Sequence, residues 1–158
     1  MKIFSITGWS GSGKTTLITR LIKHFKSTNK NVIAVKHAPH KYYLEPESTD
    51  TFTFLDAGAE EVCLAAGKEL LTMRRITEES DVFRFLESRY AGCDILLLEG
   101  LRRDDIPMIE VFDSSKHEAP KFPISALRAI VSDKPVTRAI PNFNPGEIDE
   151  IVTFMEVL

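Results

Sequence analysis

The chain has 158 residues, 43% of them hydrophobic, a formal charge of -3 and a pI near 5.8. That length fits one domain, 1–158, with a full hydrophobic core. The charge balance supplies no basic surface of the kind that neutralises nucleic-acid phosphates, and no apolar run approaches the length of a membrane span, so neither nucleic acid nor a bilayer is an expected partner.

Cys63 and Cys93 stand far apart and outside any C-x-x-C pattern. This indicates neither a zinc site nor a disulfide framework and fits reduced thiols. Met1-Lys2 leads directly into a strand-like run, so no secretory leader is expected and a cytoplasmic location is.

Lys2 to Thr7 reads as a buried strand and Thr15 to Phe25 as a helix. Between them, Gly8-Trp9-Ser10-Gly11-Ser12-Gly13-Lys14-Thr15 fills every fixed position of the phosphate-binding pattern G-x-x-x-x-G-K-[ST], in the required strand, loop and helix order. The glycines allow successive N–H groups to face phosphate oxygens, and the helix adds its positive end. The expected phosphate ligands are Gly8, Ser10, Gly11, Ser12, Gly13, Lys14, Thr15 and Thr16, with Lys14 at the β- and γ-phosphates and the Thr15 hydroxyl on Mg²⁺.

Leu17, Ile18, Leu21, Ile22 and Phe25 share one helical face, which predicts packing on a sheet. Val32 to Val35 is a second buried strand, giving a βαβ unit with parallel strands. Lys36 falls at its carboxyl end, the edge where open α/β sheets bind ligands, and is a candidate phosphate contact. His37 and His40 form an H-x-x-H pair without a third ligand, a weak metal signal. Thr49 to Ala57 reads as a short helix capped by Ser48 and closed by Gly58, with Asp50 in its first turn as a dipole partner or an acceptor for Mg²⁺-bound water.

Glu60 to Ala65 and Glu69 to Arg75 suggest an antiparallel hairpin, which makes the expected sheet mixed. A helix with Thr77 as its cap and Val82, Phe85, Leu86 and Tyr90 as its apolar face follows. Asp94 to Glu99 then carries four consecutive aliphatics and places Glu99 at the phosphate edge, where it is the candidate to hold Mg²⁺ or orient water; Asp94 falls at the opposite edge. Arg102 and Arg103 are candidates for phosphate charge, including across a dimer. Ile106 to Phe112 reads as an edge strand because of Pro107, and Ser114 to Pro123 as a polar loop. Leu127 to Val131 is a last strand, with Asp133 after it as a candidate acceptor for the guanine N–H and amino groups. Asn144 caps a terminal helix with Glu147 three residues on.

Several of these motifs occur together in the order of one family. They are the P-loop Trp9-Ser10-Gly11-x-Gly13-Lys14-Thr15-Thr16, Lys36-His37-x-x-His40, Asp50 ahead of Ala57-Gly58-Ala59, Glu99-Gly100, Ile109-Glu110-Val111, and Ser132-Asp133. The chain resembles the molybdopterin-guanine dinucleotide biosynthesis protein B (MobB-type) GTPases over nearly its whole length. It departs from the family's usual residues at Ser48-Thr49, Met108 and Asp113.

The resemblance implies an α/β P-loop NTPase fold, three-layered α/β/α with a mostly parallel sheet, like dethiobiotin synthetase and the nitrogenase iron protein. It also implies a homodimer, GTP binding with slow Mg²⁺-dependent hydrolysis, and support of a guanylyltransferase that joins GMP to molybdopterin, with molybdopterin itself a possible ligand. By family position Asp50 and Glu99 lie near the metal and Asp133 near the base. Two other expectations stay open: a small-molecule kinase using ATP, and a non-catalytic, nucleotide-dependent dimeric adaptor.

Overall fold

In the computed structural model, which describes residues 1–38 and 49–158, β1 (Lys2–Thr7) runs into the glycine loop, α1 (Lys14–Ser27) and β2 (Val32–Lys36). The chain divides into two compact units. One is Met1–Ala38 with Gly92–Leu158; the other is Pro39–Ala91, of which 49–91 are described. His40, Ser48 and the loop between them lie outside the described residues.

The first unit also contains β5 (Ile95–Glu99), β6 (Met108–Phe112), the 3₁₀ turn η1 (Ile124–Ala126), β7 (Ala129–Ser132), β8 (Asn142–Phe143) and α4 (Ile148–Val157). Its six strands lie in the order β2-β5-β1-β6-β7-β8, and every pairing is parallel. All carboxyl ends therefore emerge on one edge, with β1 flanked by β5 and β6 as the order departs from it in both directions. The fold is that of a P-loop NTPase.

Alternation along the strands separates the two faces. Phe4, Ile6, Ile95, Leu97, Ile109, Val111, Ala129 and Val131 meet Leu17, Ile18, Leu21 and Phe25 of α1 and Ile151, Val152 and Met155 of α4 in one cluster. Truncating a core residue such as the fully buried Leu21 to Ala removes about 2–5 kcal/mol. On the other face Met108, Phe112, Leu127 and Ile130 pack against Phe122, Ile124, Val136 and Ile140, so irregular segments and η1 cover this part of the sheet.

The expected edge strand is internal: β6 lies between β1 and β7 with all five residues buried. Pro107 stands just before the strand, where its missing N–H leaves no ladder bond unmade and its carbonyl accepts from Ser5 N at 3.0 Å. The terminal helix starts later than Asn144. Glu147 takes the cap position, while Asn144 N–H donates to Glu147 Oε2 at 2.8 Å and Gly146 N–H to Asn144 Oδ1 at 3.1 Å in the preceding turn.

In the second unit, α2 (Asp50–Asp56) precedes a hairpin of β3 (Glu61–Ala66) and β4 (Glu69–Arg74), and α3 (Glu79–Arg89) follows. The hairpin is antiparallel but makes a two-stranded sheet of its own, which is why the six-stranded sheet stays parallel throughout. Glu78, not Thr77, caps α3, through reciprocal bonds with Asp81. Phe83 and Leu86 are its most buried apolar residues.

Candidate functional site

Gly8 follows β1 at φ +131, and a Cβ built on it would stand 2.3 Å from Val111 O on β6. Only glycine fits there, because both the dihedral and the close backbone approach exclude a side chain. Gly13, at φ +101, occupies the cap position of α1, and Leu17 N–H is the first to bond back, to Gly13 O at 3.0 Å. The N–H groups of Lys14, Thr15 and Thr16 thus belong to the first turn and have no intrahelical acceptor, an anion-binding arrangement at the positive end of the helix.

Ser12 is buried, and its Oγ has no hydrogen-bond partner among the described residues. Gly11 and Ser10 form the exposed tip of the loop. Lys14 Nζ donates to two carbonyls of its own loop, Gly8 O at 3.2 Å and Trp9 O at 2.6 Å. Burial pulls its ammonium below the ordinary lysine range; the Glu99 carboxylate opposes this, and the nearby Lys121 and Lys36 reinforce it.

Sheet register explains what stands opposite. Glu99, the last residue of β5, pairs with Ile6 on one side and Lys36 on the other. Its side chain, 15% exposed, accepts from Thr15 Oγ1 at 3.1 Å through Oε2 and lies 3.6 Å from Lys36 Nζ through Oε1. Thr15, Glu99 and Lys36, drawn from a helix start and two strand ends, therefore meet in one cluster. This array can bind an anion on the loop side and a hard cation through hydroxyl and carboxylate oxygens.

Asp94 is at the far edge, where its carboxylate accepts from Asn31 N at 2.7 Å. Asp133 follows β7 and is already engaged: it accepts from Ser114 N at 3.3 Å, Ser114 Oγ at 3.1 Å and Ser132 Oγ at 3.3 Å. The bond from Ser114 N–H leads in holding its carboxyl below the usual range. Asp50 opens α2 in the second unit. Arg102 lies with its guanidinium carbon 4.5 Å over the Phe122 ring, and Arg103 makes a bidentate pair with Asp105 at 2.6 and 2.9 Å.

The segment read as a polar loop, 114–123, carries contacts that sequence reasoning missed. Trp9 Nε1 donates to Ala119 O at 3.0 Å, the Trp9 ring stacks on His117 at 5.1 Å, and Lys116 Nζ donates to Gly11 O at 3.0 Å. At its far end, the N–H groups of Lys121 and Phe122 donate to the fully buried carboxylate of Glu110 at 2.5 and 3.1 Å. Burial pushes the Glu110 carboxyl up, against these two bonds and the positive charges of Lys121 and Lys14. An acidic residue in the middle of the apolar run Met108–Phe112 was the available signal, since buried carboxylates are rare unless partnered.

Among the described residues no helix is long and apolar enough to cross a membrane, and no group of three or more His, Cys, Asp and Glu gathers around a metal position.

The model of the family "Molybdopterin guanine dinucleotide synthesis protein B" (MobB) matches residues 3–133. The chain is similar to the molybdopterin-guanine dinucleotide biosynthesis adapter protein of Escherichia coli K12, with 25% identity over 158 residues covering 97% of this chain and 90% of the relative. It is 31% identical over 109 residues to the adapter protein of the same name from Haemophilus influenzae Rd, covering 68% of this chain and 61% of the relative. Among solved structures, the crystal structure of a molybdopterin-guanine biosynthesis protein B matches at TM-score 0.70 and 26% identity over 99% of both chains. A family match that spans the glycine loop, Glu99 and the strands that bring them together means that the chain belongs to the MobB family.

Proposed function

We propose that this protein is a GTP-binding adapter of molybdopterin guanine dinucleotide synthesis, with slow Mg²⁺-dependent GTP hydrolysis, serving a partner guanylyltransferase that joins GMP to molybdopterin. It would act in the cytoplasm as a homodimer, each chain working as one nucleotide-binding domain. The observation that carries the reading is the cluster of Thr15, Glu99 and Lys36 beside the free N–H groups that open α1. The similarity to the molybdopterin-guanine dinucleotide biosynthesis adapter proteins of E. coli and H. influenzae supports the pathway.

The residues fit a magnesium nucleotide on two counts. Ser12 Oγ is buried without a partner among the described residues, and Thr15 Oγ1 and Glu99 Oε2 are 3.1 Å apart. Thr15 and Glu99 would hold Mg²⁺; the bound ion would neutralise charge on the phosphate oxygens.

Lys14 exchanges its bonds to Gly8 O and Trp9 O for phosphate oxygens, while the N–H groups of residues 13–16 and the Ser12 hydroxyl donate to the others. Lys36 holds the Glu99 carboxylate from behind, fixing its direction toward Thr15. Asp133 is the proposed base contact and acts while tethered to Ser114, which limits its freedom to turn. Slow turnover follows from the state of the arginines: Arg102 rests on Phe122, and Arg103 is paired with Asp105.

Trp9 is the chain's single tryptophan and stands inside the glycine loop, so its fluorescence reports occupancy. GTP titrated with Mg²⁺ is expected to change the Trp9 emission saturably and to bind more tightly than ATP. Lys14→Ala should weaken binding at least tenfold through loss of a charge-assisted bond. Normal GTP affinity in Lys14→Ala, or a preference for ATP, would defeat the assignment. An adaptor that binds GTP without hydrolysing it is a second reading, favoured by the word adapter in the relatives' names and marked by nucleotide-dependent partner binding without phosphate release.

A further inference from the structure

The segment between β6 and η1 is tied to the glycine loop at four points, more than an ordinary surface connection needs. Trp9 Nε1 bonds to Ala119 O, Trp9 stacks on His117, Lys116 Nζ bonds to Gly11 O, and Lys121 Nζ lies 5.6 Å from the centre of the Trp9 ring. Lys116 and Lys121 are both exposed at the rim of the loop, and Lys116 Nζ also pairs with Asp113 at 2.8 Å.

The anchor is chemically unusual. Glu110 pairs with Thr7 on β1, the residue just before Gly8, and its side chain projects on the face of the sheet away from α1. Its carboxylate is 0% exposed and accepts from two backbone donors, Lys121 N–H and Phe122 N–H. A buried charge is retained only where its partners are well placed. Here those donors fix where the Lys121 backbone sits relative to the end of β1. Lys14 Nζ bonds to Trp9 O and Lys121 Nζ lies over the Trp9 ring, so the two ammonium groups flank the same residue of the glycine loop.

We propose that residues 113–122 form a cis clasp on the polyphosphate site, in which Lys121 supplies a second cation to the phosphates held by Lys14 and Glu110 is the positioning residue that sets it there. Lys116 has a supporting part. Its bond to Gly11 O, together with the bond from Ser12 N–H to Trp9 O at 3.3 Å, pins both ends of the Gly11–Ser12 peptide and fixes the shape of the loop. The cation that the arginines do not provide then comes from the chain itself. This inference rests on the nucleotide reading given above.

The test compares GTP and GDP binding, by Trp9 fluorescence and by calorimetry, in the wild-type chain and in Lys121→Ala, Lys121→Arg and Glu110→Gln. Lys121 is exposed, and its Ala variant keeps the N–H that Glu110 accepts, so the fold is retained. Lys121→Ala is expected to weaken GTP about tenfold and GDP less, lowering the GTP/GDP preference, with Lys121→Arg restoring most of it. Glu110→Gln should lower the same preference, a change that a merely structural loss would not produce because it would weaken both nucleotides alike.

Unchanged GTP affinity and GTP/GDP ratio in Lys121→Ala, alongside lost binding in Lys14→Ala, would overturn the clasp and leave the nucleotide site standing. A wild-type chain that binds neither GTP nor GDP would remove both.

Discussion

Replacing Gly8 by Ala tests the geometry of the loop at its tightest point. The added Cβ would stand 2.3 Å from Val111 O and 3.0 Å from Ser12 Oγ. Ser12 Oγ can rotate away, but Val111 is a buried residue of an internal strand and must give by about 0.7 Å to reach even a 3.0 Å contact. Backbone at φ +131 adds about 1–3 kcal/mol for any residue with a side chain, and forced overpacking adds about 1–3 kcal/mol.

The sum is about 4 kcal/mol, or a fall in Tm of about 8–16 °C for a chain of this length. Gly11→Ala is the matched control. Its φ is +72 and nothing lies within 4 Å of its Cβ, so it carries only the left-handed penalty of about 1–2 kcal/mol. Thermal unfolding followed by circular dichroism, run on both variants side by side, measures the difference. Equal shifts in Gly8→Ala and Gly11→Ala would show that the approach of Gly8 to β6 does not constrain the loop.

Glu99→Gln should keep GTP affinity within a few-fold while lowering Mg²⁺-dependent phosphate release about 10²-fold in a single-turnover assay; unimpaired release would remove Glu99 from the reaction. The Asp113 carboxyl is held at about 2, against 3.8 ordinarily, by Lys116 and Ser115. Because this folded-state value is depressed, its stabilisation is present above pH 3.8 and is lost as pH falls toward 2. The stability difference between wild type and Asp113→Asn should therefore be constant above about pH 5 and shrink over that acid window, as urea titrations at several pH values would reveal. Cys63 is exposed while Cys93 is buried with its thiol pushed up by burial, so a thiol reagent should label one cysteine quickly in the folded chain and both in urea.

The sequence carried the parts whose chemistry is local. The glycine pattern identifies its own backbone geometry, and the run Ile95–Glu99 points to a strand end at the same edge, so Lys14, Thr15 and Glu99 were legible before any coordinates. Strand length placed Lys36 at the same edge, but its position beside Glu99 depends on β2 pairing with β5, which strand length does not give. Pro107 misled because the rule about proline in sheets applies inside a ladder, and this proline stands one residue outside it. The hairpin was visible, but not that its strands pair only with each other, since alternation says nothing about which edge a strand joins. The contacts of 114–123 were hidden for a different reason. Trp9 with Ala119 and Glu110 with Lys121 are ordinary residue types whose meaning comes from meeting, and no spacing rule links them.

The parallel sheet also sets an order of assembly. β1 is made before its neighbours, yet both of them come late: Lys2 pairs with Ile95, and Ser5 with Met108. During synthesis the glycine loop must wait as an unpaired apolar strand and a helix until roughly the third quarter of the chain has left the ribosome. Such distant pairing slows folding and leaves a sticky edge uncovered in the meantime. The glycine loop, made before both strands that flank β1, is then among the last features to close, and substitutions in β5 or β6 should reduce the yield of soluble protein as well as its stability once folded.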